Sequence, residues 1–227
     1  MTITDERRLV TVLFADLVGF TGRAEESDPE AVREFQRAYF AAVTREVVRF
    51  GGTLEKYIGD AAMAIFGAPQ AHDDDAERAL RAALEISRAV AELDGGPEVR
   101  IGVNTGEVVG GTAGPQEGDY TVSGDAVNVA ARLQQAAAPG EILVGGMTRR
   151  LSADAFAFAP LDEMALKGRV EAIEAWRLER ELPDRPRMHG GEARLVGRAR
   201  ELVSLESALD EAREGRGLMV ALVGEPP

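Results

Sequence analysis

The sequence predicts an α+β sandwich in which helices flank a mostly antiparallel sheet. Short apolar, strand-like runs alternate with helical runs over residues 1–180. They lack the regular, long βαβ rhythm that a parallel sheet requires. Two strand-like runs also flank Gly59-Asp60, which is the pattern of a β-hairpin and therefore of antiparallel pairing. A chain of 227 residues is long enough for one well-buried domain and a smaller piece.

Apolar periodicity predicts the first strand and the first helix. Leu9–Ala15 is a continuous apolar run that ends at Asp16. A helix is expected over Glu30–Phe50, since Pro29 suits a helix start and Asp28 suits the N-cap. The apolar residues of this helix recur at a helical period, at Val32, Phe35, Tyr39, Val43 and Val47.

Turn residues and helix breakers delimit the later elements of the domain. In chain order we expect the hairpin around Gly59-Asp60, a helix from Asp73 to Leu93, strands at Val99–Asn104 and Glu107–Gly111, a Gly-rich loop or arm at Thr112–Asp119, a strand at Tyr120–Ser123, a helix at Asp125–Ala137, and strands at Glu141–Val144, Phe156–Leu161 and Glu171–Leu178.

The last part of the chain predicts a linker and the start of a second domain. Pro and Gly residues are frequent in residues 181–193, as in a linker. In residues 194–227 a helix over Leu195–Arg213 precedes an apolar strand at Leu218–Val223 and a turn at Gly224. A strand that enters a glycine turn begins a P-loop, but the Gly-Lys-Ser/Thr half does not follow. We expect a truncated start of a P-loop, AAA-type ATPase domain.

The charge balance bears on partners. The formal net charge is −13 and the pI is about 4.7. Such a surface repels phosphate backbones, so nucleic acid is not expected as a partner of this segment. An anionic nucleotide would need a metal ion or a local group of Lys and Arg side chains to bind.

The absence of cysteine excludes disulfides, zinc-thiolate sites and thiol chemistry. The two histidines, His72 and His189, are too far apart in sequence to predict an imidazole metal site. The N-terminus has no apolar segment typical of a signal peptide, and no run approaches the roughly 18 apolar residues of a membrane span. We therefore expect a cytoplasmic protein without a membrane partner.

Two carboxylates at strand ends form the candidate metal site. Asp16 follows the first strand and Asp60 lies at the hairpin tip. Oxygen ligands of this kind suit Mg²⁺, which takes its other ligands from water and phosphates. In the alternative interpretation, Asp16 caps a following helix and Asp60 serves the turn.

Candidate cationic and amide groups come from other segments. Lys56 lies four residues before Asp60, and Asn128 and Arg132 lie four apart on one helix face. An Asn inside an apolar helix needs a polar partner, which is more commonly structural than a ligand. Lys167, in a Leu-Lys-Gly-Arg turn, is by itself typical of a solvated surface lysine.

Four segments, taken together and in this order, resemble the motifs of class III adenylyl/guanylyl cyclases. They are VLFADLVGFT at Val12–Thr21, EKYIGD at Glu55–Asp60, GDYTVSGDAVNVAARL at Gly118–Leu133, and LKG at Leu166–Gly168 followed by the strand to Leu178. The resemblance covers about residues 7–179. It implies that residues 1–180 are a cyclase catalytic domain with the ferredoxin-like α/β sandwich of that class.

The resemblance implies a reaction and a metal site. Asp16 and Asp60 would hold two Mg²⁺ or Mn²⁺ ions. The ribose 3′-hydroxyl of ATP would attack the α-phosphorus in line, giving 3′,5′-cyclic AMP and pyrophosphate. Asn128 would position the ribose, and Arg132 would neutralise the charge that grows on the α-phosphate.

The resemblance also implies the groups that bind the rest of the substrate. Lys167 would contact the terminal phosphates, helped by backbone N–H groups of the turn that includes Phe20 and Thr21. Lys56 and Thr121 would read the base, because an ammonium can donate to adenine N1 but meets a donor at guanine N1–H. Thr121 places the chain with the Thr-variant adenylyl cyclases, so ATP is the expected substrate.

In the resembling family, the carboxylates of one chain face the base and arginine residues of another. This chain carries both halves, so the resemblance implies a homodimer with two equivalent sites, and Thr112–Asp119 would be the arm that reaches across. Three alternatives stay open: a non-catalytic or weakly active cyclase-like dimerisation and signalling module in front of an ATPase, a guanylyl cyclase (opposed by Lys56), and a nucleotide-dependent regulator whose function lies in the missing C-terminal domain.

Overall fold

The structure, a computed structural model, describes residues 6–20, 22, 28–112, 120–161, 174–183, 199–213 and 220. The chain divides into two compact units, Met1–Arg185 and Pro186–Pro227. The first unit carries a mostly antiparallel sheet flanked by helices, so the predicted α+β fold is confirmed. In the second unit, the helix predicted over Leu195–Arg213 is described from Ala199 onwards. The predicted strand and turn over residues 218–224 lie outside the described part, apart from Val220.

The secondary-structure elements follow in chain order. The strands are β1 (Glu6–Leu17), β2 (Thr53–Ile58), β3 (Ala61–Phe66), β4 (Val99–Thr112), β5 (Tyr120–Ser123), β6 (Ile142–Gly145), β7 (Phe156–Pro160) and β8 (Ala175–Glu181). The helices are α1 (Pro29–Arg49), α2 (Asp75–Ala91), α3 (Asp125–Ala136), α4 (Gly146–Leu151) and α5 (Ala199–Arg213).

The strands form one sheet in the order β2-β3-β1-β4-β6-β8-β7, and β5 pairs with β4 beside this path. The β4–β6 pair is parallel and the other pairs are antiparallel. Strand β1 lies between β3 and β4, so its last residues are central in the sheet. The side chain of Asp16 is thus carried by a strand that hydrogen bonds on both sides.

Apolar residues cover both faces of the sheet. On one face, Leu13 and Ala15 of β1 pack with Tyr39 of α1 and Leu80 of α2. On the other face, residues of β1 and β3 pack against α3, and this cluster includes Val12, Phe14, Met63, Ala126 and Ala130. Alternation along β1 therefore assigns odd-numbered residues to the α1–α2 face and even-numbered residues to the α3 face.

The first helix begins where the sequence predicts. The Asp28 carboxylate accepts a hydrogen bond of 2.8 Å from the Glu30 backbone N–H, and Pro29 occupies the first turn. This capping satisfies one of the N–H groups that the start of a helix leaves without a partner.

Several details of the predicted elements are wrong. The expected strand pair at Val99–Asn104 and Glu107–Gly111 is one strand of 14 residues, β4, because β1 pairs with it without interruption through Thr105 and Gly106. The short helix α4 was not predicted, since six residues are too few to show a helical period. Strand β8 also begins at Ala175, later than the predicted Glu171, and it includes Glu181, the first residue of the predicted linker.

Helix α3 lies close to β4 because β4 presents a glycine beneath it. A Cβ atom on Gly102 would lie 2.3 Å from both Ala130 O and Gln134 N. Any side chain at Gly102 would push α3 away from the sheet. Among the described residues, no helix is long and apolar enough to span a membrane.

Candidate active site

Strand register brings Asp16 and Asp60 together. Asp16 of β1 lies opposite Ala61 of β3, and Asp60 directly precedes Ala61. Asp60 is held at the hairpin tip by a tight turn, in which Gly59 has a φ of +66° that favours glycine. The hairpin prediction is confirmed, and the candidate metal carboxylates are neighbours.

Asp16 is partly buried and receives hydrogen bonds from two side chains. Arg100 Nη2 lies 2.7 Å from Asp16 Oδ2, and Gln134 Nε2 lies 3.0 Å from the same oxygen. Burial raises the pKa of Asp16, and the negative charge of Asp60 raises it further; the contacts with Arg100 and Gln134 oppose this shift. Asp16 lies within β1, and the N-cap of α1 is Asp28, so Asp16 does not cap that helix.

The two carboxylates fit a Mg²⁺ or Mn²⁺ site. Two adjacent negative charges that raise a pKa are an arrangement that a divalent cation relieves. In the described ranges, no group of three or more His, Cys, Asp or Glu side chains could hold a metal ion. A site with two protein carboxylates suits Mg²⁺, which keeps several waters and completes its shell with substrate phosphates.

Helix α3 divides its residues between two faces. Its buried residues, which include Gln134, pack towards the sheet. Asn128 is exposed and Arg132 is half-buried. Arg132 precedes Gln134 by two residues, which is about 200° around a helix. Gln134 contacts Asp16 of its own chain, and Arg132 leaves the helix on the other side from Gln134.

Lys56 lies on β2 with its side chain half exposed. Its ammonium donates a hydrogen bond of 3.1 Å to Glu55 Oε1. Lys56 pairs with Met63 of β3, which belongs to the cluster on the α3 face. The predicted base-reading lysine therefore lies on the same face of the sheet as α3. Thr121 is in β5, opposite Gly111 of β4, and its side chain lies outside the described residues.

The predicted phosphate turn is described only in part. The Phe20 ring stacks on Phe35 of α1, with ring centroids 6.3 Å apart. The Val18 N–H donates to Glu98 O over 2.9 Å, so this group of the turn is occupied within the chain. Thr21 and Lys167 lie outside the described residues, as do residues 113–119 of the expected arm.

Sequence reasoning missed Arg100 and Gln134. Arg100 is 84 residues from Asp16 in sequence, and the register of β1 with β4 is what places them opposite each other. Gln134 directly follows the Gly118–Leu133 motif and lies on the buried face of α3. The available signal for Gln134 was a polar residue on the apolar face of the helix, since a buried polar side chain needs a hydrogen-bond partner.

The family described as the Adenylate and Guanylate cyclase catalytic domain matches residues 4–180. The chain belongs to this family. The cyclase match spans the first compact unit and includes Asp16, Lys56, Asp60, Asn128 and Arg132.

Curated and solved relatives agree with this assignment. An adenylate cyclase of Mycobacterium tuberculosis is 31% identical over 201 residues, which is 86% of this chain and 45% of that protein. The chain thus spans less than half the length of that relative. The adenylyl cyclase CyaB from P. aeruginosa superposes with a TM-score of 0.71 at 28% identity, covering 81% of this chain and 98% of that one.

A guanylate cyclase is structurally just as similar to this cyclase domain. The domain of RhGC from Catenaria anguillulae, solved in complex with GTP, superposes with a TM-score of 0.73 at 26% identity. The alignment covers 78% of this chain and 100% of that one. The fold alone therefore does not distinguish an adenylate cyclase from a guanylate cyclase.

Proposed function

We propose that this domain is an adenylate cyclase that converts ATP to 3′,5′-cyclic AMP and pyrophosphate at sites shared across a homodimer. One observation carries the proposal: Asp16 and Asp60 are adjacent, while Arg132 lies about 200° around α3 from Gln134, the residue of that helix that contacts Asp16. A second copy of the chain would supply Arg132 and Asn128 to the carboxylates of the first, and the two-fold relation would build two equivalent sites.

The chain's own residues would bind, orient and neutralise the substrate. Two Mg²⁺ or Mn²⁺ ions bound by Asp16 and Asp60 would favour the 3′-alkoxide and screen the triphosphate charge. The 3′-oxygen would lose its proton to water and form the new bond to the α-phosphorus. The bond from the α-phosphorus to the bridging oxygen of the β-phosphate would break at the same time, and pyrophosphate would leave on the opposite side. The partner's Asn128 would hold the ribose, and the partner's Arg132 would stabilise the charge on the α-phosphate.

Arg100 bears on how Asp16 becomes free to bind a cation. Its guanidinium already forms an ion pair with Asp16, and its Nε is buried without a hydrogen-bond partner in the described part of the chain. A divalent cation at Asp16 would compete with Arg100 for the same oxygen. A displaced Arg100 would keep a positive charge beside the site of an anionic substrate.

The base is read by Lys56 and Thr121 in this proposal. An ammonium donates to adenine N1, which is an acceptor, whereas guanine presents N1–H there. Thr121 would accept a hydrogen bond from the adenine amino group. The same two groups give weaker complementarity to GTP, so GTP is the competing substrate to test.

The direct test is product formation by the purified protein with Mn²⁺. We expect cyclic AMP from ATP, and less cyclic GMP from GTP. Asp16→Ala and Arg132→Ala should each abolish cyclisation. Correct folding of both variants is checked by circular dichroism and urea unfolding. Dimerisation without any product would favour the signalling-module alternative.

Subunit exchange tests the shared site. When the two inactive variants are mixed, half of the dimers are mixed dimers, and each of these has one site without a mutation. We therefore expect recovery of about a quarter of the wild-type activity. No recovery, with subunit exchange shown independently, would refute the shared site and leave a single-chain cyclase.

A further inference from the structure

Two consecutive residues of β2, Glu55 and Lys56, form an ion pair with each other. Lys56 Nζ lies 3.1 Å from Glu55 Oε1 and 3.1 Å from Oε2. Consecutive residues of a regular strand direct their side chains to opposite faces, so they do not ordinarily meet. The pair therefore needs a local departure from regular strand geometry.

A β-bulge at Glu55 supplies that departure. Leu54 pairs with Ala64 and Lys56 pairs with Met63, the next residue of β3. Glu55 is therefore an extra residue without a pairing partner in β3. The extra residue moves Lys56 to the Met63 side of the sheet, which is the face that α3 covers. Bulges redirect side chains in this way and are frequent beside active sites.

The residue after the bulge shows the same shift. Tyr57 pairs with Ala62, and its hydroxyl lies 2.6 Å from Thr44 Oγ1 of α1. Leu54 also packs on the α1–α2 face. Residues on one face of a regular strand are separated by an even number of positions, but Leu54 and Tyr57 are separated by three. The strand therefore contains one extra residue between them.

Glu55 is buried, whereas Lys56 reaches solvent. The exposed fraction of the side chain is 1% for Glu55 and 50% for Lys56. Oε2 of Glu55 has no hydrogen-bond partner in the described ranges. A buried carboxylate is costly unless a cation compensates it, so the Lys56 ammonium is held at this position by a fixed, oriented charge.

We propose that Glu55 is a positioning residue that fixes the Lys56 ammonium for base recognition and thereby sets the preference for ATP over GTP. The proposal rests on the proposed function, since it assigns Lys56 to the base. A fixed ammonium can donate at one point only, which matches adenine N1. A released ammonium can also reach guanine O6, an acceptor, and discrimination falls.

The kinetic test compares Glu55→Gln and Glu55→Asp with the wild type on ATP and GTP. Glu55→Gln keeps the shape and removes the charge, and the ratio of kcat/KM for ATP to that for GTP is expected to fall about tenfold. Glu55→Asp keeps the charge but shortens the side chain by one methylene group. We therefore expect the same ratio to fall about threefold. A role in folding alone would lower both activities together and leave the ratio unchanged.

Glu46→Gln is the matched control. Glu46 is also a buried carboxylate, with 5% of its side chain exposed, and it pairs with Arg45 and Arg49 on α1. Its loss should leave the ATP-to-GTP ratio unchanged. An unchanged ratio in folded Glu55→Gln and Glu55→Asp overturns the proposal, whereas a wild-type protein that makes neither cyclic nucleotide refutes the proposed function instead.

A second measurement does not depend on turnover. The chain has just two lysines, Lys56 and Lys167. Their ¹⁵Nζ signals can be assigned with one Lys56→Arg variant. We expect the order parameter of Lys56 Nζ to fall in Glu55→Gln and to stay unchanged in Glu46→Gln. Equal mobility of Lys56 in the wild type and in Glu55→Gln would show that Glu55 does not position it.

Discussion

Arg100 and Asp16 face each other across one antiparallel pair of β1 and β4, with Arg100 Nη2 at 2.7 Å from Asp16 Oδ2. Their side chains are largely shielded, with exposed fractions of 33% and 16%. The carboxylate proposed to bind metal thus already has an ion-pair partner within the chain. If the proposed metal site is correct, the stability of the metal-free domain and its affinity for divalent cations would be linked through this ion pair.

Removal of the Arg100 charge should separate these two effects. In Arg100→Gln, the free energy of unfolding without metal should fall by about 1 kcal/mol, because a partly shielded charged hydrogen bond is lost. The gain in stability on adding Mn²⁺ should increase, because no guanidinium competes for Asp16. Urea unfolding with and without Mn²⁺ measures both quantities.

Arg177→Gln is the matched control for that experiment. Arg177 pairs with Glu141 at 3.1 Å, with 46% of its side chain exposed, and lies on β8. Its replacement should change the stability by less than about 0.5 kcal/mol and leave the response to Mn²⁺ unaltered. An equal response to Mn²⁺ in both variants would contradict competition at Asp16.

Asp60→Asn should lower the pKa of Asp16, since the Asp60 charge is a cause of its raised value. In the wild type the folded-state pKa of Asp16 lies above its unfolded value. Protonation therefore stabilises the fold as the pH falls through the folded-state pKa, and this gain is lost as the pH rises again. In Asp60→Asn the gain should be smaller.

A ¹³C carboxyl titration of Asp16 by NMR in metal-free protein measures this shift. Asp154→Asn, at an exposed position between α4 and β7, serves as the control. If the pKa of Asp16 is the same in the wild type and in Asp60→Asn, the two carboxylates do not interact.

Gly102→Ala should destabilise the domain through α3. The added Cβ would lie 2.3 Å from Ala130 O and Gln134 N, which are backbone atoms that cannot move independently. We expect a loss of about 1–3 kcal/mol in the free energy of unfolding, together with a weaker Gln134–Asp16 contact. Gly22→Ala meets open space and should be nearly neutral. Equal stability of both variants by urea unfolding would refute the close approach of α3 to β4.

Lys56→Glu should reverse the pattern of donors and acceptors offered to the base. A carboxylate repels adenine N1, so kcat/KM for ATP is expected to fall about a hundredfold. Steady-state assays of cyclic AMP formation test this, with Arg180→Glu at an exposed position of β8 as a control for charge reversal. Unchanged ATP kinetics in Lys56→Glu would remove Lys56 from base recognition.

Local signals made much of the fold predictable. The Asp28 cap, the helical period of α1 and the turn at Gly59-Asp60 are each determined within a few residues, and each is confirmed. The predicted break within β4, at Thr105 and Gly106, was wrong: glycine is a weak strand former in isolation, whereas threonine is a good one. Their pairing with Val10 and Thr11, remote in sequence, keeps the strand continuous.

The positions of site residues were predictable from sequence only for those residues that lie at the ends of strands. Asp16 and Asp60 stand at strand ends, so their neighbourhood follows from pairing β1 with β3. Arg100 and Gln134 reach Asp16 through strand register and helix rotation, which no local pattern encodes. The bulge at Glu55 is likewise a product of how β2 pairs with β3. Roles of Asn128, Thr121 and Lys167 stay predictions.

Helix α3 carries Gln134 on the side of its own Asp16 and Arg132 on another. In the proposed dimer, this one helix would belong to both catalytic centres at once. If substrate binding at one centre rotated α3 slightly, the positions of the α3 side chains at the other centre would change as well. Cooperativity between the two halves of the enzyme would then need no dedicated relay, and a Hill coefficient different from one for ATP would be its signature.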